Sequence, residues 1–247
     1  MRKRIFYGAL VVFVLLANTQ RICAACVDPT QVAHSAVSIF RHFDDAERES
    51  HRGLVGVRGT GWFLSPTTIV TAEHVTAGME LSTQGWKSLE IVDGNDSQFI
   101  AARILRLAGG QMEKLAVIEL GRAVINAQSA AIRHEPLVPE EQVVALAYGA
   151  GRPQLVGGRF VRFGDGGKLS GMALLEMYEG ENRLIIDHGA SGAPVLDCGG
   201  RVTAVLSHVF TQNVGWAHRQ IRTSTAWGMP NVASVPVQAL EEFAETR

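Results

Sequence analysis

The sequence predicts an all-β fold. Glycine occupies 26 of 247 positions, above the average usage of roughly 7%, so the chain is expected to turn often. Its apolar runs are short and rich in Val, Ile and Phe, and turn-forming residues such as Ser65-Pro66 and the segment 93–96 (DGND) separate them. Many short strands at regular spacing are typical of β-barrels and β-sandwiches.

Nine runs carry the strand prediction because each is too short and too rich in β-branched residues for a helix. In chain order they are residues 38–40, 61–64, 69–71, 99–107, 115–120, 143–147, 155–163, 172–177 and 202–210.

Two segments interrupt this pattern. Residues 122–141 are polar, acidic and proline-bearing, and they predict a linker between an N-terminal unit, 26–121, and a C-terminal unit, 142–247. The tail predicts a short helix. Ser234 is its expected N-cap, Pro236 suits its first turn, and Val237, Leu240 and Phe243 recur at helical spacing.

Composition argues against several classes of function. Apolar residues make up 47% and charged residues 19% of the chain, which argues against disorder. A net charge of −1 and a pI near 6.7 provide no basic surface for a phosphate backbone, so a nucleic-acid partner is not expected. The sequence has no H-E-x-x-H motif and no paired C-x-x-C, so we expect no metal and no cofactor.

The N-terminus has the pattern of a secretory signal peptide. Arg2, Lys3 and Arg4 precede an apolar run, residues 5–17, and the small residues Ala24 and Ala25 follow. The run of 13 residues is shorter than the roughly 20 that span a bilayer. We therefore expect cleavage of residues 1–25, export to the periplasm or the medium, and no stable membrane span afterwards. A retained membrane anchor is the alternative.

Cleavage would leave two cysteines, Cys26 and Cys198. In an oxidising compartment an even pair favours one disulfide, and two free thiols are the alternative. A lipid anchor on Cys26, preceded by Ala24 and Ala25, is a further possibility.

The segment 187–195 (DHGASGAPV) carries the sharpest chemical signal. Small residues flank Ser191, so the backbone can fold tightly and present its N–H groups in a concave nest. A hydroxyl there can attack a carbonyl while the same N–H groups hold the oxyanion. Because serine is a weak nucleophile, a base is required, and His74, at the end of a predicted strand, is the candidate.

Two motifs together resemble those of trypsin-like (chymotrypsin-fold) serine proteases of the bacterial secreted type. The segment 71–75 (TAEHV) resembles the T-A-x-H motif, and the segment 189–194 (GASGAP) resembles G-x-S-G-x-P. The two motifs follow in the family's order, 117 positions apart, and the similarity covers about residues 35–240. An α/β-hydrolase, in contrast, has its histidine last and a G-x-S-x-G elbow.

The resemblance implies two six-stranded antiparallel β-barrels with the active site in the cleft between them. It implies His74 as general base and acid, Ser191 as nucleophile, and the N–H groups of Gly189 and Ser191 as the oxyanion hole. Peptide bonds would be hydrolysed through an acyl-enzyme.

The resemblance also implies a peptide-binding surface. The segment Ser207-His208-Val209 resembles the strand that pairs with the substrate backbone. Ile185 corresponds to the base of the pocket for the residue before the scissile bond, which favours an apolar or small side chain there.

One departure concerns the third member of the catalytic triad. The family has an aspartate directly before the L-A-V-I strand, and this chain has Lys114 there. A lysine would repel the imidazolium that the aspartate stabilises. Glu113 is a substitute only if the strand start is irregular, and Asp93 and Asp96 are weaker candidates. An unassisted His–Ser pair and an impaired site are the alternatives.

The sequence therefore predicts an exported serine endopeptidase that acts on protein or peptide substrates. Two other functions remain open at this point. One is a protease-like pseudoenzyme or binding module, which Lys114 favours. The other is an esterase-type hydrolase that uses the same serine.

Overall fold

The apolar runs form antiparallel strands that close into two β-barrels. A computed structural model of the protein describes residues 26–109, 114–149, 152–177, 189–209, 211–214, 219–222 and 230–240. The first barrel has the strand order β1-β2-β3-β6-β5-β4, and the second has the order β10-β11-β14-β9-β8-β7. The prediction of an all-β fold with two six-stranded barrels is confirmed.

The strands of the first barrel are β1 (Ala36–His42), β2 (Gly56–Ser65), β3 (Thr68–Ala72), β4 (Lys87–Asp93), β5 (Asp96–Ala108) and β6 (Leu115–Leu120). Those of the second are β7 (Gln142–Gly149), β8 (Arg152–Phe163), β9 (Ala173–Met177), β10 (Pro194–Leu196), β11 (Val202–Val209) and β14 (Val232–Pro236). A separate hairpin consists of β12 (Thr211–Val214) and β13 (Arg219–Arg222). The helical pieces are α1 (Pro29–Val32), α2 (Asp45–Ser50), α3 (Glu73–Gly78) and the 3₁₀ turns Gly167–Leu169 and Val237–Leu240.

Strands at the barrel interface are apolar on both faces. In β2, Phe63 belongs to the core of the first barrel, while its neighbour Trp62 packs in a cluster shared with the second barrel. In β7, Val143 belongs to the core of the second barrel and Val144 to the shared cluster. Successive strand side chains point to opposite faces. Two buried faces therefore give the continuous apolar runs from which the strands were predicted.

The prediction of a helix in the tail is wrong at the start of that helix. Ser234 does not cap a helix but lies fully buried in β14, which pairs with β9 and β11. Pro236 ends the same strand, and Val237–Leu240 form only a 3₁₀ turn. Pairing on both edges of β14 outweighs the local capping signal, while Phe243 lies outside the described residues.

The N-terminal segment 26–35 lies against the second barrel before β1 enters the first. Val27 and Val32 are buried in the shared cluster together with Leu196 and Val202. Cys26 and Cys198 form a disulfide, with 4.9 Å between their Cα atoms. The segment that connects β6 to β7 contacts the second barrel through a parallel bridge from Ile132 to Val202. The predicted signal peptide, residues 1–25, lies outside the described residues.

Candidate active site

The predicted base lies on a short helix that begins where β3 ends. Ala72 is the N-cap of α3, and His74 is its second residue, with an exposed side chain. Val75 and Thr76 are buried and fix the helix against the barrel. The N–H of Glu73 donates to the Lys114 carbonyl at 2.9 Å. The residue at the usual aspartate position is therefore bonded, through its backbone, to the turn that carries His74.

The predicted nucleophile lies in a tight loop that leads into β10. The N–H of Ala193 donates to the Ala190 carbonyl at 3.0 Å, and the N–H of Gly192 donates to the Leu206 carbonyl at 2.8 Å. The side chain of Ser191 is half-buried, and its Oγ lies 3.5 Å from the Ser207 carbonyl oxygen. Backbone bonds to the second barrel thus fix the loop and leave the hydroxyl partly accessible.

Gly192 is required both by conformation and by space. Its φ is +89°, in the region that L side chains rarely adopt. A Cβ atom at this position would lie 2.0 Å from Thr71 Oγ1 and 2.1 Å from the Thr60 carbonyl oxygen. Both contacts belong to the first barrel, so the absence of a side chain lets the serine loop sit directly against the strands that precede His74.

The His74 helix and the Ser191 loop approach each other at Gly59 of strand β2. A Cβ atom on Gly59 would lie 2.4 Å from Val75 Cγ1 and 3.4 Å from the Ser191 carbonyl oxygen. The ring of His208 approaches the ring of His74 edge-on, with 5.8 Å between the centroids. His208 follows Ser207, whose carbonyl oxygen faces the Ser191 hydroxyl. The structure therefore brings both predicted residues to the same end of the barrel interface.

The predicted substrate strand extends beyond the strand that pairs with it. In the described register, β10 pairs with β11 only as far as Val205. On the other edge, His208 and Val209 pair with Ala233 and Val232 of β14. Ser207 is buried, with its Oγ 2.7 Å from His208 Nδ1, and His208 is exposed. Residues 207–209 thus continue a sheet edge next to Ser191.

Some sequence candidates cannot be placed, and one has another partner. Glu113 and Ile185 lie outside the described residues. The Asp93 carboxylate is buried, and its Oδ2 lies 2.8 Å from His34 Nδ1. Asp96 is exposed at the turn between β4 and β5. Asp93 therefore pairs with a histidine other than His74.

Thr60 is a residue of the site that sequence reasoning missed. It is fully buried in β2, and its hydroxyl donates to the Gly189 carbonyl at 2.6 Å. The N–H of Tyr148 donates to the same hydroxyl at 3.0 Å. Burial raises the pKa of the Tyr148 phenol, which remains a neutral acceptor for the Gly94 N–H. The available signal was a polar residue inside an apolar strand, because such a residue needs a partner when buried.

Neither a metal centre nor a membrane-spanning helix is found in the described part of the chain. No group of three or more His, Cys, Asp or Glu side chains is arranged to hold a metal ion within these ranges. No helix in them has the length and apolar character that a membrane crossing requires.

Comparison with known proteins gives a family match and a set of structural matches. Residues 59–205 match the family model of the trypsin-like peptidase domain. No curated protein matches the chain in sequence.

Three solved structures illustrate the shared fold. The active form of the Rv3671c protease from M. tuberculosis has 16% identity and a TM-score of 0.57 over 86% of this chain and 80% of that chain. Deg5 has 16% identity and a TM-score of 0.55 over 87% and 88%. The HtrA-type protease AlgW, a serine-to-alanine variant with a tripeptide, has 15% identity and a TM-score of 0.58 over 87% and 60%. At these identities the likeness concerns the fold alone.

Proposed function

The chain belongs to the family of trypsin-like peptidase domains, and from that premise we propose that it is a secreted serine endopeptidase. His74 acts as general base and acid, and Ser191 acts as nucleophile. One observation carries the proposal: the His74 helix and the Ser191 loop both approach the Cβ position of Gly59. The His74 ring also contacts the His208 ring, and the Ser191 hydroxyl faces the Ser207 carbonyl.

The mechanism begins with removal of the Ser191 proton. His74 takes that proton as Ser191 Oγ attacks the peptide carbonyl, and the N–H groups of Gly189 and Ser191 hold the resulting oxyanion. When the tetrahedral intermediate collapses, His74 gives the proton to the leaving amine and an acyl-enzyme remains. Water, activated by His74, then attacks the ester carbonyl and frees the serine.

The substrate would bind as an added strand. An extended peptide alongside residues 207–209 would place its main-chain groups opposite the β11 edge that β10 does not cover. Its scissile carbonyl would then lie near the Ser191 hydroxyl, which faces the Ser207 carbonyl. Ile185 corresponds by position to the base of the family's side-chain pocket, and it would favour an apolar or small residue before the scissile bond.

Glu113 is the proposed third member of the triad. Support comes from its sequence neighbour Lys114, whose carbonyl accepts a hydrogen bond from the N–H of Glu73 in the turn that carries His74. A carboxylate there would orient the imidazole and stabilise its charged form. Lys114 supplies no such group.

Export follows from the signal-peptide pattern of residues 1–25, and we propose that the mature protein acts in the periplasm or outside the cell. The disulfide between Cys26 and Cys198 is consistent with an oxidising compartment, where such bonds persist.

One observation, Lys114 at the usual aspartate position, favours a second candidate function. In that case the chain would be a protease-like binding protein without turnover. The two functions differ in whether Ser191 is activated, because only an activated serine reacts with a fluorophosphonate at neutral pH.

The deciding experiment labels the mature protein with a fluorophosphonate probe. We expect labelling of the wild-type protein and of Ser170→Ala, which removes an exposed serine elsewhere in the second barrel. Labelling should disappear in Ser191→Ala and in His74→Ala. If the folded wild-type protein is not labelled, the enzyme proposal is wrong and the binding role is favoured. Matched peptide and ester substrates then separate an endopeptidase from an esterase.

A further inference from the structure

Thr60 connects the first barrel to both residues of the proposed oxyanion hole. Its hydroxyl donates to the Gly189 carbonyl at 2.6 Å, and its own N–H donates to the Ser191 carbonyl at 2.9 Å. Its carbonyl accepts from the Thr71 hydroxyl at 2.6 Å. Thr60 thus binds, through separate donors, the carbonyl groups of the two residues whose N–H groups would hold the oxyanion.

We propose that Thr60 is a positioning residue that fixes the orientation of the oxyanion hole. The proposal rests on the proposed function, because it assigns a role within that site. An N–H group stabilises a developing charge only if its direction is set before the reaction. Gly189 has a φ of +104° and no side chain to restrain it, so its backbone direction depends on external contacts. The hydroxyl of Thr60 is such a contact.

A donor on the neighbouring strand determines which group donates in the hydrogen bond between Thr60 and Gly189. The N–H of Tyr148 can only donate, and it points at Thr60 Oγ1 from 3.0 Å. The hydroxyl therefore accepts from Tyr148 and uses its single proton for the Gly189 carbonyl. Only a hydroxyl can accept from the first group and donate to the second in the same small space. Serine can replace threonine here, whereas valine and alanine cannot.

Thr60 is also fully buried, so its hydroxyl could serve stability alone. Deleting it would leave the Tyr148 N–H and the Gly189 carbonyl without this partner, which costs stability wherever it occurs. A positioning role predicts an additional effect that a purely structural role does not. Loss of the hydroxyl must weaken binding of the tetrahedral state more than binding of the peptide.

Three variants and one control separate the two roles. Thr60→Val removes the hydroxyl at nearly constant shape, but its methyl group would clash with the Gly189 oxygen. Thr60→Ala is therefore measured as well, because it removes the hydroxyl without that clash. Thr60→Ser keeps the hydroxyl. The control is Thr203→Val, because Thr203 is buried and donates to the Val195 carbonyl at 3.0 Å within the second barrel.

We expect Thr60→Val and Thr60→Ala to lower kcat by about 10- to 100-fold, less than the 10²–10³ for deleting an oxyanion donor directly. Their KM for a peptide substrate should stay within about twofold, because peptide binding does not need the oxyanion hole. Affinity for a peptide boronate, which forms a tetrahedral adduct, should fall in parallel with kcat. Thr60→Ser should restore kcat, and Thr203→Val should leave it unchanged. An unchanged kcat in Thr60→Ala, or equal losses in Thr60→Ala and Thr203→Val, would overturn the positioning role.

Amide hydrogen exchange tests the inference even if the wild-type protein hydrolyses nothing. Exchange in a peptic fragment covering residues 189–193 should be at least about tenfold faster in Thr60→Ala than in Thr203→Val or Thr60→Ser. Equal exchange in the three variants would refute the positioning of this loop by Thr60. Failure of fluorophosphonate labelling in the wild type would instead refute the proposed enzyme function.

Discussion

The two halves of the candidate site are held in different ways. The Ser191 loop is fixed by bonds to Thr60 and Leu206 and by close contact at Gly192. The His74 side chain is exposed on a six-residue helix, beside the ring of His208. On the serine side, buried groups of both barrels determine the geometry. On the histidine side, the surroundings of the imidazole include surface residues.

Lys114, at the position where the family resemblance implies an aspartate, contacts the histidine side of the site through its backbone. It is half-buried, directly precedes β6, and takes no part in the contacts of the serine loop described above. A change at Gly192 would instead drive a side chain into two barrel strands. The two halves should therefore respond differently to substitution.

The largest effect is expected on the histidine side. Glu113→Gln should lower kcat by up to about 10⁴-fold, the cost of neutralising the triad aspartate in chymotrypsin-type enzymes. Adding Lys114→Asp to that variant should recover part of the loss, because it restores a carboxylate at the family position. Steady-state kinetics on a peptide substrate measures both effects.

A matched control for this pair is Glu119→Gln. Glu119 lies on β6, the strand that Lys114 directly precedes, and its carboxylate pairs with Arg103 at 2.7 Å. Turnover should be unaffected. If Glu113→Gln also left turnover unchanged, Glu113 would not be the third member.

The next effect belongs to the serine side. Gly192→Ala should destabilise the fold by about 3 kcal/mol or more, because it adds backbone strain and overpacking. Hydrolysis should fall with it. Gly166→Ala is the control, since Gly166 has an extended φ of −171° and no atom within 4 Å of an added Cβ. Urea unfolding compares the two variants, and similar unfolding midpoints would contradict the close packing at Gly192.

A smaller loss is expected from the disulfide. It closes a span of 172 residues, and its removal in the double variant Cys26→Ser/Cys198→Ser should cost about 2–4 kcal/mol. Cys198 follows β10, which continues from the Ser191 loop, so the bond reinforces the half of the site that is already fixed. Urea unfolding gives the difference. Two thiols titrated in the denatured protein without reductant would show that the bond is absent.

The smallest effect is a pH dependence at Tyr148. Burial raises the pKa of its phenol, so folding favours the neutral form. The resulting stability is complete below the unfolded pKa of about 10 and declines as the pH rises above it. Above pH 10 the free energy of unfolding should fall more steeply with pH in the wild type than in Tyr148→Phe. Parallel pH profiles would argue against the burial of this phenol.

Continuous apolar runs made the fold class predictable because the interface strands are buried on both faces. Strand β4 was missed because it alternates: Leu89 and Ile91 are buried, while Ser88 and Glu90 are not. Short motifs were enough to propose His74 and Ser191 as site residues. Thr60 was not, because its partners lie up to 129 positions away and no local pattern shows them.

The bond between Cys26 and Cys198 has a chemical consequence for the first residue of the expected mature chain. Lipid attachment at such a cysteine forms a thioether on its sulfur, and a sulfur already joined to another sulfur has no thiol to offer. A lipid anchor on Cys26, if one were attached, would therefore exclude the bond to Cys198. The bond in turn would leave Cys26 no thiol through which a bilayer could hold the barrels.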